Sequence, residues 1–332
     1  MQLGPYRLPN PVFVAPMAGV TDRPYRRLCR RLGAGYAVSE MAASNPKLWA
    51  TVKTARRIDH AGEPGPVAVQ LAGADPQMMA EAARFNVDRG AQVIDINMGC
   101  PAKKVCNVAA GSALMADAPL ALRIVQAVVA AVNVPVTVKM RTGIDRTQRN
   151  AVSLALGMQD AGAALITVHG RSRACAFQGE AEYDTIAQVK QALRIPVVAN
   201  GDIDSPAKAA WVLARTGADA VMIGRAGQGN PWLYRQVAHF LAHAELLPAP
   251  SLSEIRQVLR EHLEDHYAFH GPVMGPRIAR KHIGWYVGQW GDRAGADAKA
   301  LLAAVNQAED PEQQLRLLDE FLCASEDEIA VH

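Results

Sequence analysis

Seven short polar stretches, the last of them ending at Arg225, each close an apolar run. They are Ala15-Pro16-Met17-Ala18-Gly19, Gln70, Asn97-Met98-Gly99-Cys100-Pro101, Lys139 with Arg141, His169-Gly170-Arg171, Asn200-Gly201-Asp202 and Gly224-Arg225. A single lysine, asparagine or histidine in such a place has a structural reading. Seven such stations gathered on one rim would put a thiol, an amine, guanidinium groups, an imidazole and amides together, which is the make-up of an active site. The last two stations carry glycines, whose backbone N–H groups can approach phosphate oxygens. No G-x-G-x-x-G follows a strand-like run, so a Rossmann-type domain is not expected. A phosphate held by Asn200-Gly201-Asp202 and Gly224-Arg225 would belong to a cofactor or substrate lying inside the mouth of the fold.

The elements that must position these groups are legible as eight apolar, β-branched-rich runs: Val12–Ala15, Tyr36–Ser39, Val67–Leu71, Val93–Ile96, Val136–Met140, Leu165–Val168, Val197–Ala199 and Ala220–Ile223. Runs apolar throughout suit strands of a parallel sheet covered on both faces. Helical segments lie between them. Asp75-Pro76 reads as an N-cap with proline at N1, and Gly90 ends that segment; Ser205-Pro206 and Gly217 repeat the device. Eight strand–helix alternations in about 230 residues predict a (β/α)8 TIM barrel, with a doubly wound sheet as the rival. In a barrel the seven stations all fall at the carboxyl ends of strands, where barrel enzymes carry their chemistry.

The pattern changes after Trp232. Residues near Leu246–Ser253 read as a linker, Ser251 with Glu254 as a capping box, and the remainder as helix. The expected domains are a barrel over 1–245 and a small all-helical domain over 246–332. Net charge divides the same way. Residues 1–249 hold 27 Lys/Arg and 18 Asp/Glu, a net +9, whereas residues 250–332 hold 8 and 14, a net −6. The basic excess clusters at Arg23, Arg26, Arg27, Arg30 and Arg31, then Lys53, Arg56 and Arg57, which suits either a polyanion or a solvated helix face.

Composition narrows the class further. Half the residues are apolar and 20% are charged, an ordinary globular balance. No apolar run is long enough to span a bilayer, and no export signal opens the chain, so a cytoplasmic protein without a membrane anchor is expected. The five cysteines, Cys29, Cys100, Cys106, Cys175 and Cys323, are scattered and read as free thiols; Cys100 and Cys106 are too far apart for a metal knuckle. His262, His266 and His270 recur at helical i, i+4 spacing, for which packing and solvated-edge roles are expected rather than a metal.

Five segments carry a resemblance: Ala-Pro-Met-Ala-Gly-Val-Thr-Asp (15–22), Asp-Ile-Asn-Met-Gly-Cys-Pro-Ala-Lys-Lys-Val (95–105), Val-His-Gly-Arg (168–171), Ala-Asn-Gly-Asp-Ile (199–203) and Met-Ile-Gly-Arg-Ala (222–226). With Ala-Arg-Lys-His-Ile-Gly-Trp-Tyr (279–286) in the tail, nearly the whole chain resembles the tRNA-dihydrouridine synthases, most closely their bacterial B-type members. The segment around Cys100 is the specific one; the Asn-Gly-Asp and Gly-Arg elements would also fit other FMN barrels.

The resemblance implies a tightly bound, non-covalent FMN and reduction of the C5–C6 bond of D-loop uridines in tRNA, with NADPH (or NADH) as transient reductant. Pro16, Met17 and Ala18 would lie against the flavin, Gln70 would bond its ring, Lys139 would approach its N1/O2 edge, and His169 would contact it. Asn200, Gly201, Asp202, Gly224 and Arg225 would hold the ribityl chain and phosphate. Hydride would reach C6 of the uracil, and Cys100, a thiol mostly protonated at neutral pH, would deliver the proton to C5. Asn97 and Arg141 would fix the uracil. Cys106 departs from the polar residue expected at its position, and its plain reading is a small loop residue.

In the tail, Arg277, Arg280 and Lys281 share a helix face and are the expected tRNA contacts, whereas Trp285, Tyr286 and Trp290 are expected to pack in the core. A monomer acting on tRNA, with no metal, is the expectation. Two alternatives are an FMN enzyme acting on a free pyrimidine, which would need neither helical domain nor arginine cluster, and a non-catalytic RNA-binding barrel, against which Cys100, Lys139 and His169 speak.

Overall fold

The computed structural model describes residues 1–291 and 298–329, with side chains through residue 321; Cys323 lies outside the described side chains. The chain divides into two compact units. One comprises Met1–Gly224 with Tyr234–Glu245, the other Arg225–Leu233 with Leu246–His332. The segment Arg225–Leu233 groups with the helical unit although it lies on the barrel side of the expected 245/246 boundary.

The strands are β1 (Gln2–Leu3), β2 (Tyr6–Arg7), β3 (Val12–Val14), β4 (Tyr36–Ala37), β5 (Ala42–Ala43), β6 (Ala68–Ala72), β7 (Val93–Met98), β8 (Val136–Arg141), β9 (Leu165–His169), β10 (Val197–Asn200) and β11 (Ala220–Ile223). Strands β3 to β11 form one parallel sheet in the order β4-β3-β11-β10-β9-β8-β7-β6-β5. A parallel bridge joins Val38 to Ala68, and Ser39 N–H donates to Ala68 O at 3.1 Å. The end of β4 therefore meets β6 and the sheet closes; β4 and β5 are two pieces of one interrupted strand. This is the (β/α)8 TIM barrel that the eight runs predicted.

Two details differ from the sequence expectation. A short antiparallel hairpin of β1 and β2 precedes the barrel, and its Leu3, together with Leu8 just after it, packs against Phe13, Val93, Leu165, Val198 and Ala220. Strands β7, β8, β9 and β10 also extend past the ends of their apolar runs, so Asn97, Arg141, His169 and Asn200 belong to strands. The ladder pairs backbone groups whatever the side chain, and an inward polar residue at a strand end is invisible to an apolar count.

Helices α1 (Arg23–Arg31), α2 (Val52–Ile58), α3 (Pro76–Val87), α4 (Lys103–Cys106), α5 (Ala118–Ala131), α6 (Ala151–Asp160), α7 (Asp184–Ala192) and α8 (Pro206–Thr216) follow in chain order. The caps are those that the sequence announces. Asp75 accepts from Met78 N–H at 2.8 Å and Ser205 accepts from Lys208 N–H at 3.2 Å, each satisfying a donor of the first turn. Gly217 closes α8 in the left-handed region, where it meets no Cβ penalty.

After α9 (Leu233–His243) come α10 (Leu252–Trp290), α11 (Ala298–Gln307) and α12 (Pro311–Ile329). Helix α10 is two helices merged across a break at Gly271, whose φ is 82°. Glycine adopts that conformation freely, and Pro272 opens the second part. Ser251 caps α10 by accepting from Glu254 N–H at 3.1 Å, while the Glu254 carboxylate accepts from the Trp232 indole at 2.9 Å. Trp232 meets Tyr286 and Trp290 edge to face, a favoured arrangement of aromatic rings. The Trp290 indole donates to Gly229 O at 2.7 Å, which ties Arg225–Leu233 into this unit. Buried Gln314 of α12 accepts from the Tyr267 hydroxyl and donates to Pro276 O and Val305 O. Among the described residues, no helix is long and apolar enough to cross a membrane.

Candidate active site

Strand register assembles the site. It places Gln70 beside Asp95, Asp95 beside Thr137, Asn97 beside Lys139, Arg141 beside His169, and His169 beside Asn200. Because side chains alternate along a strand, the series Ala68/Gln70, Val93/Asp95/Asn97, Thr137/Lys139/Arg141, Leu165/Thr167/His169 and Val198/Asn200 each share one face. The first member of most series joins the apolar plug at the amino end. The later members are polar and stack above it toward the carboxyl ends.

Their hydrogen bonds form a connected set. The Asp95 carboxylate accepts from the Thr137 hydroxyl at 2.5 Å and from Gln70 Nε2 at 2.7 Å. Gln70 Oε1 accepts from Asn97 Nδ2 at 2.7 Å, and Asn97 Oδ1 accepts from the N–H groups of Gly99 (3.2 Å) and Cys100 (2.9 Å). Arg141 holds the same turn from the other side: Nε donates to Gly99 O at 2.6 Å and Nη1 to Ser172 O and Ala176 O. Lys139 Nζ donates to Asn200 Oδ1 at 2.9 Å, and Asn200 Nδ2 donates to Met222 O at 2.8 Å.

The electrostatics follow from withdrawal from water. Desolvation raises the Asp95 carboxyl to about 6 against the lowering pull of its Thr137 and Gln70 hydrogen bonds. Desolvation, then the neighbouring Arg141 charge, lowers Lys139 to about 8, and desolvation lowers Arg141 to about 10. Burial raises the Cys100 thiol, so it is protonated at neutral pH.

The expected cofactor residues other than Arg225 occupy the same rim. Pro16 and Met17 are half-buried and Ala18 is exposed in the turn after β3, where Met17 N–H donates to the Thr21 hydroxyl. Met17 Sδ and Ala15 Cβ lie beside Gly224, each 3.7 Å from where a Cβ there would stand, and the His169 ring comes within 3.0 Å of the corresponding point at Gly201. Gln70 is fully buried as the link between Asp95 and Asn97. The Asp202 carboxylate is turned to Arg171 Nη2 (2.7 and 2.9 Å) and to Ala181 N–H (2.8 Å), which makes it a brace for its loop. Arg225 follows Gly224 and opens a short 3-10 turn in the other unit.

Asp95 and Thr137 were not singled out from sequence as site residues, and Arg171, though part of the His169 station, was given no role of its own. The available signal was spacing: Asp95 and Thr137 each stand two residues before a site residue, Asn97 and Lys139, and so share its face. Arg171 stands two after His169, and its Nη1 lies 3.4 Å from His169 Nε2. Cys106 Sγ is 3.5 Å from Cys100 O and 3.5 Å from Ser112 Oγ. Ser112 N–H also donates to Cys100 O. Gly111 (φ 63°) lets the chain pass, since a Cβ there would stand 2.7 Å from that oxygen.

The arginine cluster of α1 is partly structural. Arg26 is 1% exposed, pairs with Glu63, and donates to Thr21 O and Asp59 O at 2.7 Å each. Arg23 pairs with Asp59 at 2.9 Å and Arg30 bonds Ala34 O and Gly65 O. Only Arg27 and Arg31 of the five are exposed. In the helical unit, Arg277 is exposed, Lys281 is half-buried, and half-buried Arg280 donates to Ala308 O at 3.1 Å. His262 and His266 are fully buried rather than at a solvated edge, with the His282 ring 5.0 and 5.2 Å away, because the face they share points into the bundle.

Comparison with known proteins adds independent findings. Residues 13–326 match the family described as Dihydrouridine synthase (Dus). The chain is 60% identical over 324 residues to a tRNA-dihydrouridine synthase B of Xanthomonas axonopodis pv. citri (strain 306), covering 98% of this chain and 96% of that one. It is 54% identical over 321 residues to the tRNA-dihydrouridine synthase B of Pseudomonas aeruginosa, covering 97% and 95%. Among solved structures it resembles morphinone reductase in complex with tetrahydroNAD, with a TM-score of 0.53 at 18% identity over 77% of this chain and 92% of that one, a likeness of fold.

Proposed function

The chain belongs to the dihydrouridine synthase family, and from that premise we propose that it reduces the C5–C6 bond of D-loop uridines in tRNA with Cys100 as proton donor. The cofactor of this reading is a flavin, proposed to be a tightly held, non-covalent FMN. The lining suits it: a largely enclosed ammonium at Lys139, the Asn200 amide, the His169 imidazole, and glycine turns at Gly201 and Gly224. Pro16, Met17 and Ala18 offer an apolar wall, and Arg225 extends the phosphate set along the chain. Bound there, the flavin would supply the hydride for uracil C6, with NADPH or NADH as the proposed reductant.

The remaining work falls to this chain's residues. As negative charge develops at C5 and the neighbouring carbonyl, Cys100 Sγ–H gives its proton to C5, and the thiolate left behind is reprotonated by solvent. The turn that bears Cys100 is held by Asn97 at its N–H and by Arg141 at Gly99 O, so the thiol is positioned before substrate arrives. Positive charge on Lys139 and Arg141 favours the developing anion. Arg277 and Lys281, with Arg280 beside them, are the proposed tRNA phosphate contacts of the helical unit.

The observation that carries this reading is the clamped turn that presents a protonated thiol on the rim beside Lys139. The test is single-turnover reoxidation of the enzyme's flavin by tRNA. Cys100→Ala is expected to bind flavin and accept electrons from NADPH normally while reoxidation slows by ~10²–10⁴, the range for a positioned acid. Cys106→Ala is expected to reoxidise normally, because its thiol serves loop contacts only. Normal reoxidation of Cys100→Ala would overturn the assignment.

A further inference from the structure

His169 ends β9 in register with Arg141 on one side and Asn200 on the other, and it is largely buried. Two residues on stands Arg171, 4% exposed, whose guanidinium is committed almost donor by donor. Nε donates to Gln178 O at 3.3 Å and to Gly179 O at 3.2 Å. Nη2 donates to Gly179 O at 2.6 Å and to the two Asp202 carboxylate oxygens at 2.9 and 2.7 Å. Asp202 is held in turn by Ala181 N–H at 2.8 Å, and the Tyr183 hydroxyl donates to Gly201 O at 2.8 Å. A guanidinium is planar and rigid, so fixing Nε and Nη2 also fixes Nη1. That nitrogen stands 3.4 Å from His169 Nε2.

The contact has a chemical polarity. Guanidinium nitrogens donate and never accept. A proton on Nε2 would set two N–H groups against each other across the gap, so Nε2 must present its lone pair. In a neutral imidazole one nitrogen accepts and the other carries the proton. The proton of His169 therefore belongs on Nδ1. The same ring edge is confined from a second side, where Cδ2 and Nε2 lie 3.0 and 3.4 Å from the point at which a Cβ on Gly201 would stand. Gly201 has φ 124°, a conformation open to glycine and strained for other residues, so backbone alone fills that space. Nδ1 lies across the ring from this edge.

We propose that Arg171 is a positioning residue, which holds His169 as the Nδ1–H tautomer so that the ring offers a donor to an oxygen of the bound flavin. The tautomer follows from this chain's own contacts; the destination of the Nδ1–H rests on the reading of the rim as a flavin site. The role calls for a guanidinium. A lysine would bring the same charge without the fork that spans Asp202, Gly179 and His169 at once.

The test is nitrogen NMR of the protein carrying isotope-labelled histidine, as purified and after flavin removal, with His169 assigned from the signals lost in His169→Asn. In the parent at neutral pH, Nδ1 is expected to carry the proton and Nε2 none, in both forms. Arg171→Lys is expected to populate both tautomers, with thermal melting run alongside; should that variant fail to fold, the parent spectrum decides alone. Flavin affinity gives a second reading, because an asparagine amide nitrogen falls near the place of Nδ1 and a glutamine amide nitrogen near that of Nε2. His169→Asn is expected to hold flavin roughly 2- to 12-fold more tightly than His169→Gln, the worth of one hydrogen bond. A proton on Nε2, or on both nitrogens, in the parent would overturn the proposal. So would a single unchanged tautomer in folded Arg171→Lys, or equal flavin affinity in the two amide variants. If the parent itself binds no flavin, the functional reading fails and the donor's destination with it, while the tautomer is still decided in the flavin-free protein; the two failures are thus distinct.

Discussion

Asn97 Nδ2 donates to Gln70 Oε1 at 2.7 Å, and this bond decides which end of the Asn97 amide faces Cys100. The ionised Asp95 carboxylate can only accept, so Gln70 must turn its Nε2 to it. That leaves Oε1 for Asn97, whose Nδ2 is thereby committed and whose Oδ1 is free for the Cys100 N–H. The orientation of each amide is thus inherited from a buried carboxylate. Gln70→Leu is expected to leave Asp95 and Asn97 each short of a partner and to lower stability by about 2–6 kcal/mol, at ~1–3 kcal/mol per unsatisfied buried group. Denaturant unfolding of the two proteins would check it, and flavin reoxidation by tRNA should slow as well.

Asp95 also sets a pH dependence. Its folded value of about 6 lies above the ordinary carboxyl value, so the folded chain holds this proton more tightly than the unfolded chain does. The group's contribution to stability is complete below pH ~4, falls as pH rises to about 6, and is constant above that, a change on the order of 3 kcal/mol. Asp95→Asn should remove that slope, because an amide can still accept from Gln70 and donate to Thr137. A parent and variant with the same pH–stability slope between 4 and 6 would contradict this.

Lys139 supplies a second pH dependence, of opposite chemistry. Its amine at about 8 is charged below that pH and neutral above it. The N1/O2 edge proposed to lie beside it is neutral in oxidised flavin and anionic in reduced flavin, and an anion there favours the charged amine, so affinity for reduced FMN should fall as pH rises through about 8. Lys139→Met should hold reduced FMN more weakly at pH 7 and show no such fall. Anaerobic titration of apoprotein with reduced FMN from neutral to mildly alkaline pH measures both.

Arg26 illustrates a basic residue that is spoken for. Its guanidinium is enclosed with the Glu63 carboxylate, and removing one partner strands the other charge. Arg26→Ala is expected to cost ~3–5 kcal/mol in a denaturant melt, whereas Arg27→Ala or Arg31→Ala should change stability by less than ~0.5 kcal/mol.

Arg277 and Arg280 should separate in the same manner. Arg277 is exposed, so Arg277→Ala is expected to lower the salt slope of tRNA binding by ~0.7–0.9 with an unchanged melting temperature. Arg280 also donates to Ala308 O, so its alanine variant should lower the melting temperature of the helical unit too. Salt titrations paired with thermal melts distinguish them.

The eight strand runs, the caps at Asp75 and Ser205, the helical tail and the rim stations were all readable from the chain alone. Each depends on local chemistry: apolar runs must be buried, a capping oxygen must sit beside its helix, and strand polarity sends strand ends to one rim. The resemblance likewise rested on contiguous residues around Cys100. What needed the tertiary structure were relationships between residues far apart in the chain. The Asp95–Gln70–Asn97 order depends on strand register, which no single strand encodes. The separation of Arg26 from Arg27 depends on Glu63 meeting one helix face, and the break at Gly271 on a φ that composition does not reveal.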